Sequence, residues 1–563
     1  MSMITATAWV PRGFAAPFPT KYAFDEEEFE RIAALAKLQL DDAQEDLEEA
    51  EAEAEAAGNG VGASTEAESE VKSSKKKKSK KSKKSKKSKQ EDDIELDDDL
   101  KEYDLEHYDD VDEDEEQGVG QNMGMFGNVK TLAFYDSNKD DPYITMKDDI
   151  NDDEAEREEL QILATDNLLL SAKIEDELAH LEVYVYEDEA DNLYVHHDIM
   201  LPAIPLCIEW LDIPVGKAGV DKDSVANFVA VGTFDPDIEI WDLDTVDCMY
   251  PNAILGQGGN SEEKKKKKKK KKKSRKANDE YHVDAVLALA ANRKHRNLLA
   301  SASADKTVKL WDLHTAKCAK SYTYHTDKVC SLAWHSVEST VLLSGSYDRT
   351  AAIADMRAPT ELPTRVGVES DVETVKWDPH DPNFFFVTTE NGIVHYFDIR
   401  NATKDPSASK AVWQLQAHDE SVSTFDLNMV IPGFMATAST DKTVKLWDIS
   451  AGGPALVVSR DFDVGRVFSA TFGPDAEVAF RLAVAGSKGT VSVWDTSTNA
   501  SVRKFFAQKM PSKFAKEVKA EDRLVGVDDD ESSSSESGED DEEEEERGDD
   551  VDEIAGSMDE GED

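Results

Sequence analysis

Short runs of β-branched and aromatic residues, each ending in Trp-Asp or a close substitute, recur along the middle of the chain. They read IEIWDL around Trp241, VKLWDL around Trp311, VKLWDI around Trp447 and VSVWDT around Trp494, with AAIADM around Ala354 and VHYFDI around Phe397 in the same slot. The slots lie 70, 43, 43, 50 and 47 residues apart. A second marker ends another strand upstream in each unit: IEW at Trp210, LAA at Ala291, LAW at Trp334, VKW at Trp377, FDL at Leu427 and ATF at Phe472, at intervals of 81, 43, 43, 50 and 45. The two markers keep step, and both stretch at one place, where ten consecutive lysines stand at residues 264–273. Self-similarity at this period predicts a repeat architecture in which each unit is one small sheet. The lysine run is then a loop between two intact units.

A third pattern gives the spacing a mechanism. In three units a His opens the repeat, an Asp follows 23 positions later, a Ser or Thr stands four before that Asp, and the Trp slot comes six after it. The sets are His282, Ser301, Asp305, Trp311; His325, Ser344, Asp348, Ala354; and His418, Thr437, Asp441, Trp447. Imidazole donates at one ring nitrogen and accepts at the other, so Asp, His, hydroxyl and indole N–H can satisfy one another in a small buried volume. These sets resemble the hydrogen-bonded tetrads of WD-repeat β-propellers. A structural role outweighs acid–base catalysis for them, and with Ala354 in the Trp slot the middle set is expected to end at its hydroxyl.

Six units are visible, at about 47 residues each once the insertion is set aside, close to the ~40–45 of a WD blade. A degenerate seventh is expected upstream, where ELQILATDN, HLEVYVYEDE and NLYVHHDIML read as three strands and Tyr186-Glu187 fills the Trp-Asp slot. The expected fold is therefore all-β, a WD-repeat propeller of seven blades with short, protected sheet edges.

Charge redraws the ends of the chain. The 563 residues carry 65 Lys+Arg and 119 Asp+Glu, a formal charge of −54, but in blocks: −12 over residues 25–55, −16 over 91–116 and −20 over 528–563. Against these stand 12 lysines interleaved with serine over residues 72–89 and the run at 264–273. Like charges at that density bury no apolar surface and read as disordered or solvated extensions. The expected organisation is an aromatic anchor with a short amphipathic helix over 1–57, a low-complexity linker over 58–119, the propeller over 120–507 with a disordered insertion at 256–279, and an acidic Ser-rich tail over 508–563.

Several classes of function fall away. Cys207, Cys248, Cys318 and Cys330 form no C-x-x-C pair and read as buried thiols in a reducing compartment. No stretch is apolar enough to span a membrane, and the N-terminus lacks a signal-peptide layout. No phosphate loop, HExxH or GxSxG is present, and His295 and the His196-His197 pair lack metal-like company. The reading is a non-enzymatic binding platform without cofactor, metal or small-molecule substrate.

The N-terminus stands apart. Trp9, Phe14, Phe18, Tyr22 and Phe24 crowd together, and Asp25 with Glu28 then resembles a capping box before a helix with Phe29, Ile32, Ala33, Ala36 and Leu40 on one face. This segment either docks on its own propeller or inserts into a partner. The long charged stretch behind it favours the partner, with Trp9, Arg12, Phe14, Phe18, Tyr22, Phe29 and Ile32 as contacts, and removal of residues 1–40 is then expected to leave the fold intact. In the WVPRGF…FPTKY opening, the helix after it and the two tryptophan series to about Phe506, the chain resembles the periodic tryptophan protein family. That resemblance implies a nuclear and nucleolar factor of large ribosomal subunit assembly, bound to the pre-ribosomal particle, precursor rRNA and other assembly factors, without enzymatic activity. The lysine insertion is a departure expected to be peculiar to this sequence.

Surface charge supplies further candidates. Turns carrying Lys306, Arg349 and Lys442 recur on one rim, while Arg293, Lys294 and Arg296 form a denser knot on the other, the better RNA candidate of the two. The lysine runs suit nuclear import or RNA phosphates. Ser533 and Ser537 sit three residues before acids, as an acidophilic kinase requires, and the tail could hold basic ribosomal proteins or histone tails. A chromatin- or histone-binding propeller in transcription regulation is the rival reading. A ubiquitin-ligase adaptor is a weaker one, since no ligase-docking helix is evident.

Overall fold

A computed structural model describes residues 2–22, 157–509 and 523–527, with breaks at 159, 177, 217–223, 257–277, 359–361, 451–452 and 507. Among these residues seven four-stranded antiparallel sheets form the blades of a β-propeller. Blade 2 runs from Pro205 to Leu255, blade 3 from Val286 to Tyr322, blade 4 from Val329 to Gly367, blade 5 from Val372 to Gln416, blade 6 from Thr424 to Asp461 and blade 7 from Val467 to Val527. In each, the first strand lies innermost against the first strands of its neighbours, and the fourth is the outer edge. The second and third strands are buried on both faces, so FVAVGT, LLASAS and VLLSGS read as apolar or small-residue runs rather than alternations.

Blade 1 is assembled from two distant pieces. Its innermost strand is Ser2–Val10, paired antiparallel with Asn167–Glu175, and Leu178–Glu187 and Asn192–Leu201 complete the sheet. The propeller therefore begins at residue 2, not 120, and residues 23–156 are an insertion between the first two strands of one blade. Within the expected seventh unit the third and fourth strands fall as read, but the stretch ELQILATDN is mostly turn and loop. The strand beside it is NLLLSAKIE, all but its last residue buried, which hides it from a search for alternation.

The far end also differs from expectation. After the third strand of blade 7 the chain turns through a short helix, Ala500–Phe506, whose Phe506 stacks on Phe434 at 4.2 Å. The outer strand Leu524–Val527 then pairs with Val491–Asp495. The last strand of the propeller thus lies inside the segment expected to be tail. The N-terminal helix with Phe29 and Ile32, both lysine runs, and Ser533 and Ser537 lie outside the described residues.

Candidate functional site

The tetrads assemble as their spacing requires. In blade 3 His282 Nδ1 lies 3.0 Å from Asp305, its Nε2 lies 2.6 Å from Ser301 Oγ, and Trp311 Nε1 donates to the same Oγ at 2.8 Å. Blade 6 repeats this with His418, Asp441, Thr437 and Trp447 at 2.8, 2.9 and 2.9 Å. Burial disfavours the charged imidazole and lowers the pKa of His282 and of His418. Burial works the other way on Asp305, but hydrogen bonds from His282 and Thr307 outweigh it and hold the carboxyl at about 2. An ionised carboxylate only accepts, so Nδ1 carries the proton and the hydroxyl donates to Nε2. The order of groups is that of an acyl-transfer triad, yet Ser301 and Thr437 are fully buried and an indole caps each hydroxyl. The arrangement fixes the loop leading into the blade to the turn between its second and third strands.

Blade 4 corrects the expectation that its set ends at the hydroxyl. His325 joins Asp348 at 3.0 Å and Ser344 at 2.9 Å, and the hydroxyl of Tyr324 reaches Ser344 Oγ at 3.1 Å in place of the missing indole. In blade 5 the His, hydroxyl and Trp slots hold Val368, Val387 and Phe397, all apolar, and the Asp slot holds Asn391.

The N-terminal residues dock across blades 7, 1 and 2. Trp9 is only 8% exposed, donates from Nε1 to Thr471 O at 3.1 Å and meets Tyr186 edge-on at 5.8 Å. Thr7 bonds Ser469 Oγ at 2.7 Å; Arg12 pairs with Glu477 and donates to Asn167 at 2.8 Å. Phe14 packs edge-on against Trp210 at 4.7 Å, and the Tyr22 backbone N–H donates to Val246 O. Further out, Arg481, 6% exposed, ion-pairs with Asp188 of blade 1 and Asp495 of blade 7, both at 2.6 Å. The N-terminal segment thus docks on its own propeller, and among its described aromatic residues Phe18 is the most exposed, at 38%. Its aromatics have core to fill at home, which is why the reading of a free anchor fails for Trp9, Arg12, Phe14 and Tyr22.

The cations are largely spoken for. Arg293 pairs with Glu209 at 2.9 Å, Arg296 with Asp212 at 2.7 Å, and Lys294 donates to Val337 O. The knot therefore clamps blade 3 to its neighbours on both sides. On the opposite rim Lys306, Arg349 and Lys442 all sit at φ between 63° and 72°, in the turns after Asp305, Asp348 and Asp441. Lys306 lies 3.6 Å from Asp327 and Arg349 3.3 Å from Asp371, each reaching the loop into the next blade. Among the described residues no three His, Cys, Asp or Glu side chains converge as a metal site, and no helix is long and apolar enough to cross a membrane.

The comparisons match this geometry. The family model described as WD domain, G-beta repeat matches residues 277–312, 316–355 and 409–448, the three blades that hold tetrads. A WD repeat-containing protein of Schizosaccharomyces pombe is 50% identical over 94% of this chain and 96% of its own length. Periodic tryptophan protein 1 of Saccharomyces cerevisiae is 40% identical over 93% of each chain. The chain belongs to the periodic tryptophan protein 1 family. A homolog from Drosophila melanogaster is 30% identical over 63% of this chain and 73% of its own.

The propeller gives the periodic tryptophans of this family member a physical reason. At the end of an innermost strand, Trp377 Nε1 donates to Ala333 O at 3.1 Å, Trp334 to Ala290 O at 3.0 Å and Trp9 to Thr471 O at 3.1 Å. Each acceptor is the residue just before the equivalent marker one blade back. Ala8-Trp9 is therefore the missing first member of the second tryptophan series, the counterpart of Ala333-Trp334. That match was the available signal for the N-terminal strand, obscured because 201 positions, not the usual interval, separate Trp9 from Trp210. The fold is a scaffold, a class that is typically non-catalytic and suited to protein–protein contacts.

Proposed function

We propose that this chain is a non-enzymatic assembly scaffold of the large pre-ribosomal particle, acting in the nucleus and nucleolus and supporting precursor rRNA processing through contacts with pre-rRNA and other assembly factors. The observation that carries the reading is family membership across nearly the whole chain. The geometry supports it: the hydroxyls of the tetrads are capped, and the N-terminus is part of the ring, leaving loops and charged extensions as binding elements.

Sedimentation tests this. Under gentle lysis at low salt with intact RNA, the protein is expected in the fractions of large-subunit precursors and to leave them after ribonuclease treatment. Free sedimentation under those conditions, with retention on histone peptides at physiological salt, would instead establish the chromatin reading.

A further inference from the structure

The outer edges of the seven blades differ in charge. The fourth strands of blades 1, 2, 5 and 7 contain no Lys or Arg. Arg365 of blade 4 donates to Tyr324 O, and Arg460 of blade 6 lies over the rings of Phe462 and Trp494 at 5.1 and 5.0 Å. Blade 3 alone presents two exposed lysines there, in KCAKSY over Lys317–Tyr322. Among the described residues neither meets a carboxylate within 4.0 Å.

A β-bulge sets their direction. Asp312 faces Lys317 and Trp311 faces Cys318, but Leu310 faces Lys320, so Ala319 is the extra residue. Three positions apart on a regular strand, Lys317 and Lys320 would point to opposite faces. The bulge turns both to one face, ~10 Å apart. It is the face of Leu310, which packs with Val329, Leu332 and Leu342 of blade 4. Of the carboxylates in this region, Asp312 accepts from Thr315 and Asn297, Asp355 is held by Arg357, and the Cys318 thiol, its pKa raised first by burial, lies close enough to Asp279 to be raised further.

We propose that the outer edge of blade 3 on its side toward blade 4, marked by Lys317 and Lys320, is a phosphate contact for RNA. This rests on the reading that the chain binds precursor rRNA, and it places the contact on the blade edge rather than on the Arg293 and Arg296 knot. In a chain of charge −54, whose acids repel a polyanion, exposed lysines concentrated on one edge are where a polyanion is attracted. Lysine is a point charge on a flexible stem, suited to sequence-independent phosphate contact.

The test uses the full chain and a labelled single-stranded RNA of about 25 nucleotides, with affinity measured by fluorescence anisotropy from about 50 to about 300 mM KCl. The double variant K317Q/K320Q is expected to weaken binding several-fold and to lower the slope of log K against log salt by about 1.4, at ~0.7 per single-strand phosphate contact. Both side chains are exposed, so the melting temperature should not move, which separates lost contact from lost fold. An unchanged slope and affinity in the variant, with the wild type binding RNA, overturns this contact and leaves the assembly reading standing. Absence of RNA binding by the wild type overturns both.

Discussion

Replacing Trp9 by alanine separates a strand of the ring from an anchor for a partner. Trp9 is buried in a cluster with Ile4, Leu169, Tyr184, Tyr186 and Val493, and its indole bonds the backbone of blade 7. Truncating a buried Trp costs about 3–5 kcal/mol, the removed surface and the residual cavity both contributing. Unfolding entropy near 2.1 cal/mol/K per residue, over about 340 described residues, converts this to a loss of ~4–7 °C in melting temperature. Trp9→Phe keeps most of the buried area and removes the N–H, so about 1 kcal/mol and ~1 °C is expected. Phe18→Ala, at a half-exposed ring, should fall within the ±0.5 kcal/mol of surface changes. The assay is thermal unfolding of the full chain followed by far-ultraviolet circular dichroism. A Trp9→Ala protein that melts within 1 °C of the wild type would refute the argument and restore the anchor.

Other consequences are open to the same instruments. His418→Ala leaves Thr437 and Asp441 without their shared partner and should cost roughly 1–3 kcal/mol, as should His282→Ala, with Tyr324→Phe costing less because Ser344 keeps its bond to His325. Arg481→Met removes the buried cation shared by Asp188 and Asp495, leaving Arg523 beside Asp495 at 3.3 Å, and should cost about 3–5 kcal/mol in urea unfolding. Burial, with His196 beside it, lowers the pKa of His197 from 6.5 to about 4. The folded state thus binds fewer protons than the unfolded one in that window, so stability is complete above pH 6.5 and falls by roughly 3 kcal/mol on the way to pH 4. His197→Gln should flatten this slope; an unaltered slope would show that other groups carry it.

The features legible in the sequence were those with fixed spacing. His282, Asp305 and Trp311 lie at set intervals because a blade's loops and strands have set lengths, so a hydrogen-bonded constellation could be read from counting. Tyr324 was not legible as a replacement, since it stands beside His325 in sequence and substitutes for Trp only in space. Ser2–Val10 and Leu524–Val527 escaped for a shared reason. Each is joined to its blade through a long connection, and each borders charged sequence that reads as extension. The Arg293 and Arg296 knot looked like a surface for phosphate because Glu209 and Asp212, its partners, lie more than 80 residues away.

The two-piece construction of blade 1 also sets a timetable. Ser2–Val10 is made first, yet it touches the first strand of blade 7 and pairs with a strand that begins at residue 167. At about 5–20 residues per second, on the order of half a minute to a minute and a half of translation separates this strand from the completion of its last neighbour. Until Asn167–Glu175 is made, ITATAWV has no strand to pair with, and until blade 7 follows its other side stays uncovered, the kind of segment that recruits chaperones or aggregates. The ring is thus held open until the chain is nearly finished, and its earliest-made strand is among the last to be locked in place.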